Sequence, residues 1–371
     1  YDIMPSLVGS EMCIRDRPKA IADTFSPRIK DGRIVIEELG MSEEEIRDIQ
    51  KIMIVACGSA SHVGYSGKYI LEGLARIPVE VDMASEFRYR NPILDEHTLV
   101  IVVSQSGETA DTLAALRESK KRGARVLGIV NVVGSSIARE ADNVMYTWAG
   151  PEIAVATTKA YSAQLISMYL LAMKFAQVKG RLSEEETASM LEDLKALPAQ
   201  VEMLLNNKEN IQKFANRYLA AKDVFFIGRG IDHAISMEGS LKLKEISYIH
   251  SESYAAGELK HGTISLIEPG TLVVALAAYE PLVEKMRSNI VEVRSRGAEV
   301  VAMTTEETRD MIGSQASEVF VIPKIHTLLQ PVLGVVPLQL FAYYIALNRG
   351  CDIDKPVSYT HLRAHETRHD L

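Results

Sequence analysis

The sequence is short of cysteine, of positive charge and of long apolar runs, and each shortage excludes a class of protein. Its three cysteines, Cys13, Cys57 and Cys351, lie far apart in 371 residues, so neither a disulfide framework nor a metal-ligand spacing is present. The formal net charge of −8 argues against a nucleic acid or an anionic membrane as partner. We therefore expect a cytoplasmic protein that binds neither.

Uninterrupted apolar segments of membrane-spanning length are also missing. Residues 160–177 contain Gln164 and Ser167, and residues 328–347 are interrupted by Pro331 and Pro337. Both stretches predict buried helices, in the core or at a subunit interface, rather than membrane spans. Hydrophobic residues make up 47% and charged residues 24% of the chain, which is typical of a soluble globular protein, and the length suits two domains.

The middle of the chain is a repeat. "TLVIVVSQSGETADTLAALRESKKRGARVLGIV" starts at Thr98, and "TLVVALAAYEPLVEKMRSNIVEVRSRGAEVVAM" starts at Thr271. Each copy reads as a strand, a turn, a helix that closes on Gly-Ala, and a second strand. Upstream of each copy, from Ile52 and from Asp223, another strand meets a glycine turn and a helix. This alternation predicts an α/β fold of two domains, each a mainly parallel sheet flanked by helices on both faces.

These patterns set the expected domain boundaries. An acidic helical linker is expected between the domains, and Ser183 with Glu186 forms a capping box at its start. The expected order is a foreign N-terminal extension (1–17), a lead-in segment (18–44), the first domain (45–180), the linker (181–216), the second domain (217–356) and a foreign C-terminal tail (357–371).

The C-terminal tail contains three of the nine histidines. His361, His365 and His369 would share a helical face, which allows a metal site. The alternative is a non-native extension, and we favour it because no cysteine is near and Glu366 and Asp370 are offset from that face. No metal and no cofactor are expected.

The turn "SQSGET" follows a predicted strand of the first domain and precedes a helix. In open α/β sheets, ligands bind beyond the carboxyl ends of the strands. Backbone N–H groups at the helix start favour an anion, Ser104, Ser106 and Thr109 add hydroxyls, and Gly107 permits close approach. Because the turn has no lysine or arginine, one phosphate on a small neutral molecule fits better than a nucleotide triphosphate. Ordinary Ser/Thr helix capping remains the alternative.

The matching turn of the second domain, "AAYEPLVEK", has no serine or threonine. That domain instead contains "MEGSLKLKEISYIHSESYAAGELKHG", in which Glu238, Lys242 and Glu245 line one helical face. The face is either a solvated charge ladder or part of a catalytic site. Gly239 and Ser240 are unusual in a simple exposed helix.

The segment "GELKHG" places His261 beside a glycine shortly after this helix. A carboxylate, an ammonium group and an imidazole near a sugar phosphate are the parts needed for ring opening and for moving a proton between adjacent carbons. His250, at the end of the helical pattern, is interpreted as structural.

Several long motifs in order carry a resemblance to a known family: "ASEFRYRNPILDEHTLVIVVSQSGETADTLAAL", "AGPEIAVATTKAYSAQL", "MEGSLKLKEISYIH", "SYAAGELKHG" and "DIDKP". Residues 18–356 resemble the glucosamine-6-phosphate synthase family, also called glutamine–fructose-6-phosphate aminotransferases (isomerizing). The matching part is the isomerase half of that family, built of two sugar-isomerase (SIS) domains. Motifs of this length are far more specific than a lone glycine pattern.

The resemblance implies roles for individual residues. Glu245 would move the proton between C1 and C2 of fructose 6-phosphate, Glu238 and Lys242 would support it, and His261, lent by a neighbouring subunit of a homodimer, would assist ring opening. Ala60 stands where some relatives have a sugar-binding serine. The implied substrate-binding set holds the phosphate (Ser104, Gln105, Ser106 and Thr109) and the sugar (Ser59, Val155 and Thr157).

The sequence departs from the family at both ends. The family's N-terminal glutaminase domain has no counterpart in residues 1–17, so we expect no ammonia release from glutamine. His361 stands where the family tail has a lysine that forms a Schiff base with the open-chain sugar, so we expect weak or absent isomerisation. The chain is thus interpreted as an isomerase fragment that binds fructose 6-phosphate or glucosamine 6-phosphate. A non-catalytic SIS phosphosugar sensor and a fructosamine-phosphate deglycase-like SIS enzyme are the alternatives.

Overall fold

A computed structural model describes residues 9–357. The predicted tail site at His361, His365 and His369 lies outside these residues. Within them the chain forms two compact units, each discontinuous in sequence. The first unit contains residues 17–151 and 159–198, and the second contains residues 9–16, 152–158 and 199–357.

Helices and strands alternate through both units. The α-helices are α1 (Gly9–Arg15), α2 (Arg17–Phe25), α3 (Glu43–Asp48), α4 (Ser59–Leu74), α5 (Ala84–Phe87), α6 (Ala110–Lys121), α7 (Ser136–Glu140), α8 (Lys159–Val178), α9 (Glu184–Asn206), α10 (Glu209–Arg217), α11 (Ile231–Ser247), α12 (Val283–Arg294), α13 (Arg309–Gly313) and α14 (Gln330–Asn348). The strands are β1 (Ile29–Lys30), β2 (Arg33–Ile34), β3 (Lys51–Ala56), β4 (Val79–Met83), β5 (Thr98–Ser104), β6 (Arg125–Val130), β7 (Asn143–Tyr146), β8 (Asp223–Gly228), β9 (His250–Ala255), β10 (Leu272–Ala277), β11 (Glu299–Thr304) and β12 (Glu318–Val321).

Each unit is built on a five-stranded sheet in which every pairing is parallel. The strand order is β4-β3-β5-β6-β7 in the first unit and β9-β8-β10-β11-β12 in the second. The two orders are the same when strands are counted in chain order within each five-stranded sheet. The predicted α/β fold and the predicted repeat are therefore confirmed.

The apolar central strands explain why each sheet is buried in the core of its unit. All residues of "TLVIVVS" in β5 and of "LVVALA" in β10 are buried, as expected for parallel strands covered on both faces. In the first unit, Val100 and Val102 of β5 pack with Leu116 of α6. In the second, Val273 and Ala275 of β10 belong to the core that includes Ile290 of α12. The polar turns at the strand ends are thus held by a rigid frame.

The two most apolar stretches form buried helices, as predicted. Every residue of α8 except Lys174 and Gln177 is buried. Among the helices of residues 9–357, α14 is the one long and apolar enough to cross a membrane, and 94% of its most apolar window is buried inside the protein. Neither proline ends this helix, because Pro331 lies in the first turn of α14 and Pro337 lies inside it.

The linker prediction is right about helices and incomplete about packing. Ser183 and Glu186 form the predicted capping box, with Glu186 N donating to Ser183 Oγ at 3.1 Å and Ser183 N donating to Glu186 Oε2 at 2.8 Å. Leu194 and Leu197 of α9 are nevertheless fully buried. The segment therefore contributes to the core as well as connecting the units.

Regular structure begins earlier than the sequence predicts. Residues 1–17 show no usable periodicity, yet α1 is helical from Gly9. The carboxylate of Asp354 accepts hydrogen bonds from the Gly9 and Ser10 N–H groups at 2.9 and 2.7 Å. A distant acceptor at the helix start thus supplies what the local pattern does not.

Candidate active-site elements

In the first unit, the turn 104–109 joins β5 to α6 and concentrates three hydroxyl groups. Ser104 ends β5 and is 3% exposed. Its Oγ accepts from Gly107 N at 3.0 Å and lies 3.0 Å from Thr109 Oγ1. Ser106 Oγ accepts from Glu108 N at 3.2 Å. The predicted residues Ser104, Ser106 and Thr109 therefore surround one turn, which we name the hydroxyl cradle.

Helix capping does not account for the cradle. Thr109 stands at the N-cap position of α6 but its side chain accepts no cap hydrogen bond. It contacts Ser104 instead, so its hydroxyl is oriented within the cradle. The N–H groups at the start of α6 and the helix dipole remain favourable to an anion.

Gly107 and Ser135 shape the floor of the cradle. Gly107 has φ +68°, and a Cβ atom there would lie 2.0 Å from Ser135 Oγ. Ser135 is 3% exposed, and within residues 9–357 its Oγ has no hydrogen-bond partner. Sequence reasoning missed Ser135, because it is 28 positions from Gly107 in the chain. The available signal was the second glycine turn, "VVGSS", after the neighbouring strand β6.

The other polar turn of the first unit leaves β3, the strand beside β5. Gly58 has φ 56° and precedes α4, so Ser59 is the first helical residue and is half-buried. Thr112 Oγ1 of α6 lies 3.9 Å from Cys57 Sγ, which connects the two turns. Both turns therefore open at the same edge of the sheet, where ligands of such folds bind.

In the second unit, α11 places two charged side chains, Glu238 and Lys242, in the interior, and a third, Glu245, lies half-buried beside them. Glu238 is 0% and Lys242 is 3% exposed. Lys242 Nζ lies 3.7 Å from Glu238 Oε1 and donates a short hydrogen bond to Glu245 Oε2. The alternative of a solvated ladder is therefore wrong. We name these three residues the buried charge triad.

A further carboxylate, Glu152, acts on the triad. Burial by itself lowers the pKa of Lys242, but Glu238, Glu245 and Glu152 outweigh burial and raise that pKa above its ordinary value. Lys242 is thus a permanently charged ammonium group held among acids. Sequence reasoning missed Glu152, because it lies far from α11 in the chain.

Glu152 also organises the segment 152–158. Its Oε1 accepts from Thr158 N at 2.6 Å and from Thr158 Oγ1 at 3.2 Å. The same segment contains the predicted sugar-binding residues Val155 and Thr157, both half-buried. Val155 N donates to Asp354 O at 3.3 Å. The segment therefore belongs to the second unit, although its neighbours in sequence belong to the first.

Packing explains the two residues of α11 that are unusual in an exposed helix. A Cβ atom on Gly239 would lie 2.9 Å from Leu338 Cδ1 of α14 and 3.1 Å from Phe226 Cε1 of β8. Ser240 O accepts from Ser251 Oγ of β9 at 2.8 Å, and the two hydroxyls are 3.0 Å apart. Gly239 and Ser240 thus fix α11 against its neighbours and are not themselves evidence of catalysis.

His261 ends a 3₁₀ helix, Ala256–His261, and is exposed. Among the described residues, no hydrogen bond or ion pair joins His261 to the buried charge triad. A role for this side chain toward a neighbouring subunit therefore stays a prediction. His250, interpreted as structural, starts β9 and hydrogen-bonds Asp223 Oδ1 at 2.7 Å.

Comparison with known proteins identifies the same domain family in both units. The SIS domain family matches residues 45–174 and 218–349. The chain is similar to the glutamine–fructose-6-phosphate aminotransferases (isomerizing) of Caldanaerobacter subterraneus subsp. tengcongensis, at 58% identity, and of Clostridium tetani, at 56% identity. Both matches cover 92% of this chain and 56% of the relative.

Solved structures give the same result. The C-terminal domain of glucosamine-fructose-6-phosphate aminotransferase from Francisella tularensis is 35% identical to this chain, with a TM-score of 0.91. The match covers 96% of this chain and all of that chain. A glucosamine-6-phosphate deaminase from Thermotoga maritima is 26% identical, with a TM-score of 0.69, 92% of this chain and 97% of that chain covered.

The frame and the sites thus define a protein of two SIS domains. The chain belongs to the SIS family and, within it, to the glutamine–fructose-6-phosphate aminotransferases (isomerizing), whose C-terminal domain it matches. It spans about 56% of the length of the curated relatives.

Proposed function

We propose that this chain is the ketose/aldose isomerase module of a glutamine-dependent glucosamine-6-phosphate synthase and binds fructose 6-phosphate or glucosamine 6-phosphate. The observation that carries the proposal is the buried charge triad of α11. Glu238 and Lys242 are buried and Glu245 is half-buried, and burying charges costs free energy that a purely structural helix avoids by using apolar residues. Perturbed, desolvated ionisable groups of this kind are typical of catalytic sites.

The hydroxyl cradle is assigned to the phosphate. Ser104, Ser106 and Thr109, with the amide-bearing Gln105, provide donors without a cationic side chain in the turn. Such donors suit one phosphate group next to the start of α6. Ser59, Val155 and Thr157 are assigned to the sugar hydroxyls.

The triad is assigned to the chemistry. The Glu245 carboxylate takes a proton from C1 of the open-chain ketose, which leaves an enediolate, and returns it to C2. The C1 hydroxyl proton passes to the oxygen on C2, which gives the aldose. Lys242 keeps its proton and offsets negative charge that develops on the sugar oxygens. Glu238 holds the ammonium group from the other side. No atom is gained or lost, so the step needs no cofactor.

Solvent-proton exchange tests the catalytic assignment. Incubation with fructose 6-phosphate in deuterated water should place deuterium on the sugar slowly in wild type and faster in His361→Lys, which restores the tail lysine of the family. Glu245→Gln should lower the exchange rate by roughly 10²–10⁴-fold, the usual contribution of a general base. Glu284→Gln, at an exposed position of α12, is the matched control and should exchange like wild type.

A sensor would give a different result. Sugar binding without proton exchange by both wild type and His361→Lys, which restores the tail lysine, would refute the isomerase assignment and leave the phosphosugar sensor.

Calorimetry tests the phosphate assignment separately. Ser106→Ala with Thr109→Ala should weaken fructose 6-phosphate binding, because each lost hydrogen bond to a charged group is worth about 1.5–3 kcal/mol. Ser314→Ala, an exposed serine of the second unit, should leave the Kd unchanged. Equal binding by the double variant and wild type would contradict the assignment.

We further propose that the protein acts as a cytoplasmic homodimer in which His261 serves the partner's site. Mixing a His261→Asn chain with a Glu245→Gln chain should restore part of the exchange activity that each lacks alone. Failure of every mixture to restore activity would place His261 in its own subunit's site or outside catalysis.

A further inference from the structure

The two units repeat the same frame at the edge where ligands bind. Strand β5 of the first unit and β10 of the second hold the central position in sheets of equal strand order. The preceding helices, α4 and α11, each begin after a glycine with nearly the same backbone angles: Gly58 has φ 56° and ψ −134°, and Gly230 has φ 57° and ψ −130°. Positions in the two units can therefore be matched one to one.

In the second unit, a carboxyl group fills the end of the central strand. Asp232, on the first turn of α11, is 2% exposed. Its Oδ2 accepts from Ala278 N and from Tyr279 N, both at 2.8 Å. These are the first two residues after β10, and by the repeat they match Gln105 and Ser106 of the hydroxyl cradle.

In the first unit, the position that matches Asp232 has no polar atom. Asp232 is the second residue after Gly230, and Ala60 is the second residue after Gly58. The alanine methyl cannot accept a hydrogen bond, so α4 offers no acceptor of this kind to the turn after β5. At this position a carboxyl group stands in the second unit where the first has a methyl group.

We infer that Asp232 is a resident substitute for a ligand phosphate: it closes the strand-end site of the second unit, and Ala60 leaves the site of the first unit open. The residue pair Ala60 and Asp232 then determines that the chain has one phosphate site and not two. The part concerning Ala60 rests on the proposed function of the hydroxyl cradle, and the part concerning Asp232 does not.

The chemistry of the closed site supports this role. Two converging N–H donors beyond a parallel strand are the usual elements of an anion site. Buried N–H groups must also be paired, which explains why the second unit needs no serine in its turn. Burial raises the pKa of Asp232 and the two N–H donors lower it; burial has the larger effect, and the pKa is about 7. The carboxyl oxygen accepts from both N–H groups in either protonation state.

Removing the carboxyl group should reopen the site. The measurement is the melting temperature at about pH 8, where the carboxylate is ionised, with and without inorganic phosphate or formate. The chains carry Ser106→Ala and Thr109→Ala, so that the first unit contributes no anion binding. The melting temperature of the Asp232→Ala chain should rise when at least one of these anions is added. Asp232→Asn, whose amide oxygen refills the position, should not.

Equal anion responses of Asp232→Ala and Asp232→Asn would overturn the inference. If Asp232→Ala does not fold without added anion, refolding from urea in phosphate or formate replaces the melting experiment. Recovery of the folded chain by either anion supports the inference, and no recovery by either overturns it.

The reciprocal change tests the first unit. Ala60→Asp should reduce fructose 6-phosphate binding at least tenfold, whereas Ala60→Ser should retain it. Unchanged binding by Ala60→Asp, while Ser106→Ala with Thr109→Ala abolishes it, would overturn the inference and leave the proposed function intact. Unchanged binding by the cradle variant instead refutes the proposed function, and the Asp232 experiment still stands.

Discussion

Lys242 is a buried cation in the interior of the second unit. Its ammonium group lies between Glu238, which is 0% exposed, and Glu245. Lys242→Met leaves these carboxylates without the cation and should lower the free energy of unfolding by about 3–5 kcal/mol. Urea denaturation at neutral pH, followed by circular dichroism, measures the change.

A second substitution separates charge from packing. Glu238→Gln combined with Lys242→Met removes the acid with the base, so the double variant should be more stable than Lys242→Met alone. If Lys242→Met matches wild type in stability, the interior tolerates the unpaired acids and the electrostatic explanation is wrong.

At the scale of residues, the sequence indicates which side chains could act in a reaction better than it indicates how buried they are or which residues contact them. The spacing of Glu238, Lys242 and Glu245 places them on one helical face, but spacing cannot show that this face is buried. Ser135 and Glu152 reach their partners from distant parts of the chain. The glycine turn after β6 is a signal for Ser135, whereas the sequence contains no signal for the contact of Glu152 with α11. The assigned roles of the site residues stay predictions until they are tested.

At the scale of elements, the packing of α11 on α14 is set by one missing side chain. Gly239 allows Leu338 to approach closely. An alanine usually stabilises a helix by up to about 1 kcal/mol over glycine, but overpacking costs about 1–3 kcal/mol. We expect Gly239→Ala to lower the free energy of unfolding by about 1–2 kcal/mol.

Gly334 of α14 provides the matched control. A methyl group added at this position would have Leu276 Cδ2 as its nearest neighbour, at 3.5 Å, which is an ordinary contact. Gly334→Ala should therefore be neutral or stabilise the protein by up to about 1 kcal/mol. Thermal unfolding of both variants decides the matter: equal effects of the two substitutions would contradict the packing explanation for Gly239.

Element boundaries are less predictable than element types. Proline removes one hydrogen bond of a helix, which predicts breaks in α14. The buried apolar surroundings of Pro337 keep the helix continuous there, because tertiary packing outweighs local propensity. The start of α1 likewise depends on Asp354, 345 positions from Gly9.

At the scale of the whole molecule, Asp232 links stability to pH. Its pKa is about 7 in the folded chain and about 3.9 in an unfolded one. A raised pKa in the folded state contributes stability that is complete below the unfolded value and is lost as pH rises through the folded value.

Compared with Asp232→Asn, wild type should therefore lose up to about 4 kcal/mol of unfolding free energy between about pH 4 and pH 8. Urea titrations across this range measure the difference between the two proteins. A difference that does not vary with pH would show that Asp232 has the same pKa in both states.

The overall architecture is the most predictable level. Two copies of strand, turn, helix and strand imply parallel sheets, and the structure has two sheets of equal order. What the repeat could not reveal is the discontinuity of the units. Segment 152–158 joins the second unit through bonds such as Val155 N to Asp354 O, and these are contacts that no local pattern encodes.

The twin glycines, Gly58 and Gly230, have one more consequence. Because each turn is shaped by a backbone that only glycine adopts easily, the residues that follow it are not needed to form the turn. They are free to differ, as Ser59-Ala60 and Ile231-Asp232 do. The two halves of a repeated scaffold can in this way acquire different functions through single substitutions. Comparing one half of the chain with the other shows which positions carry such a substitution.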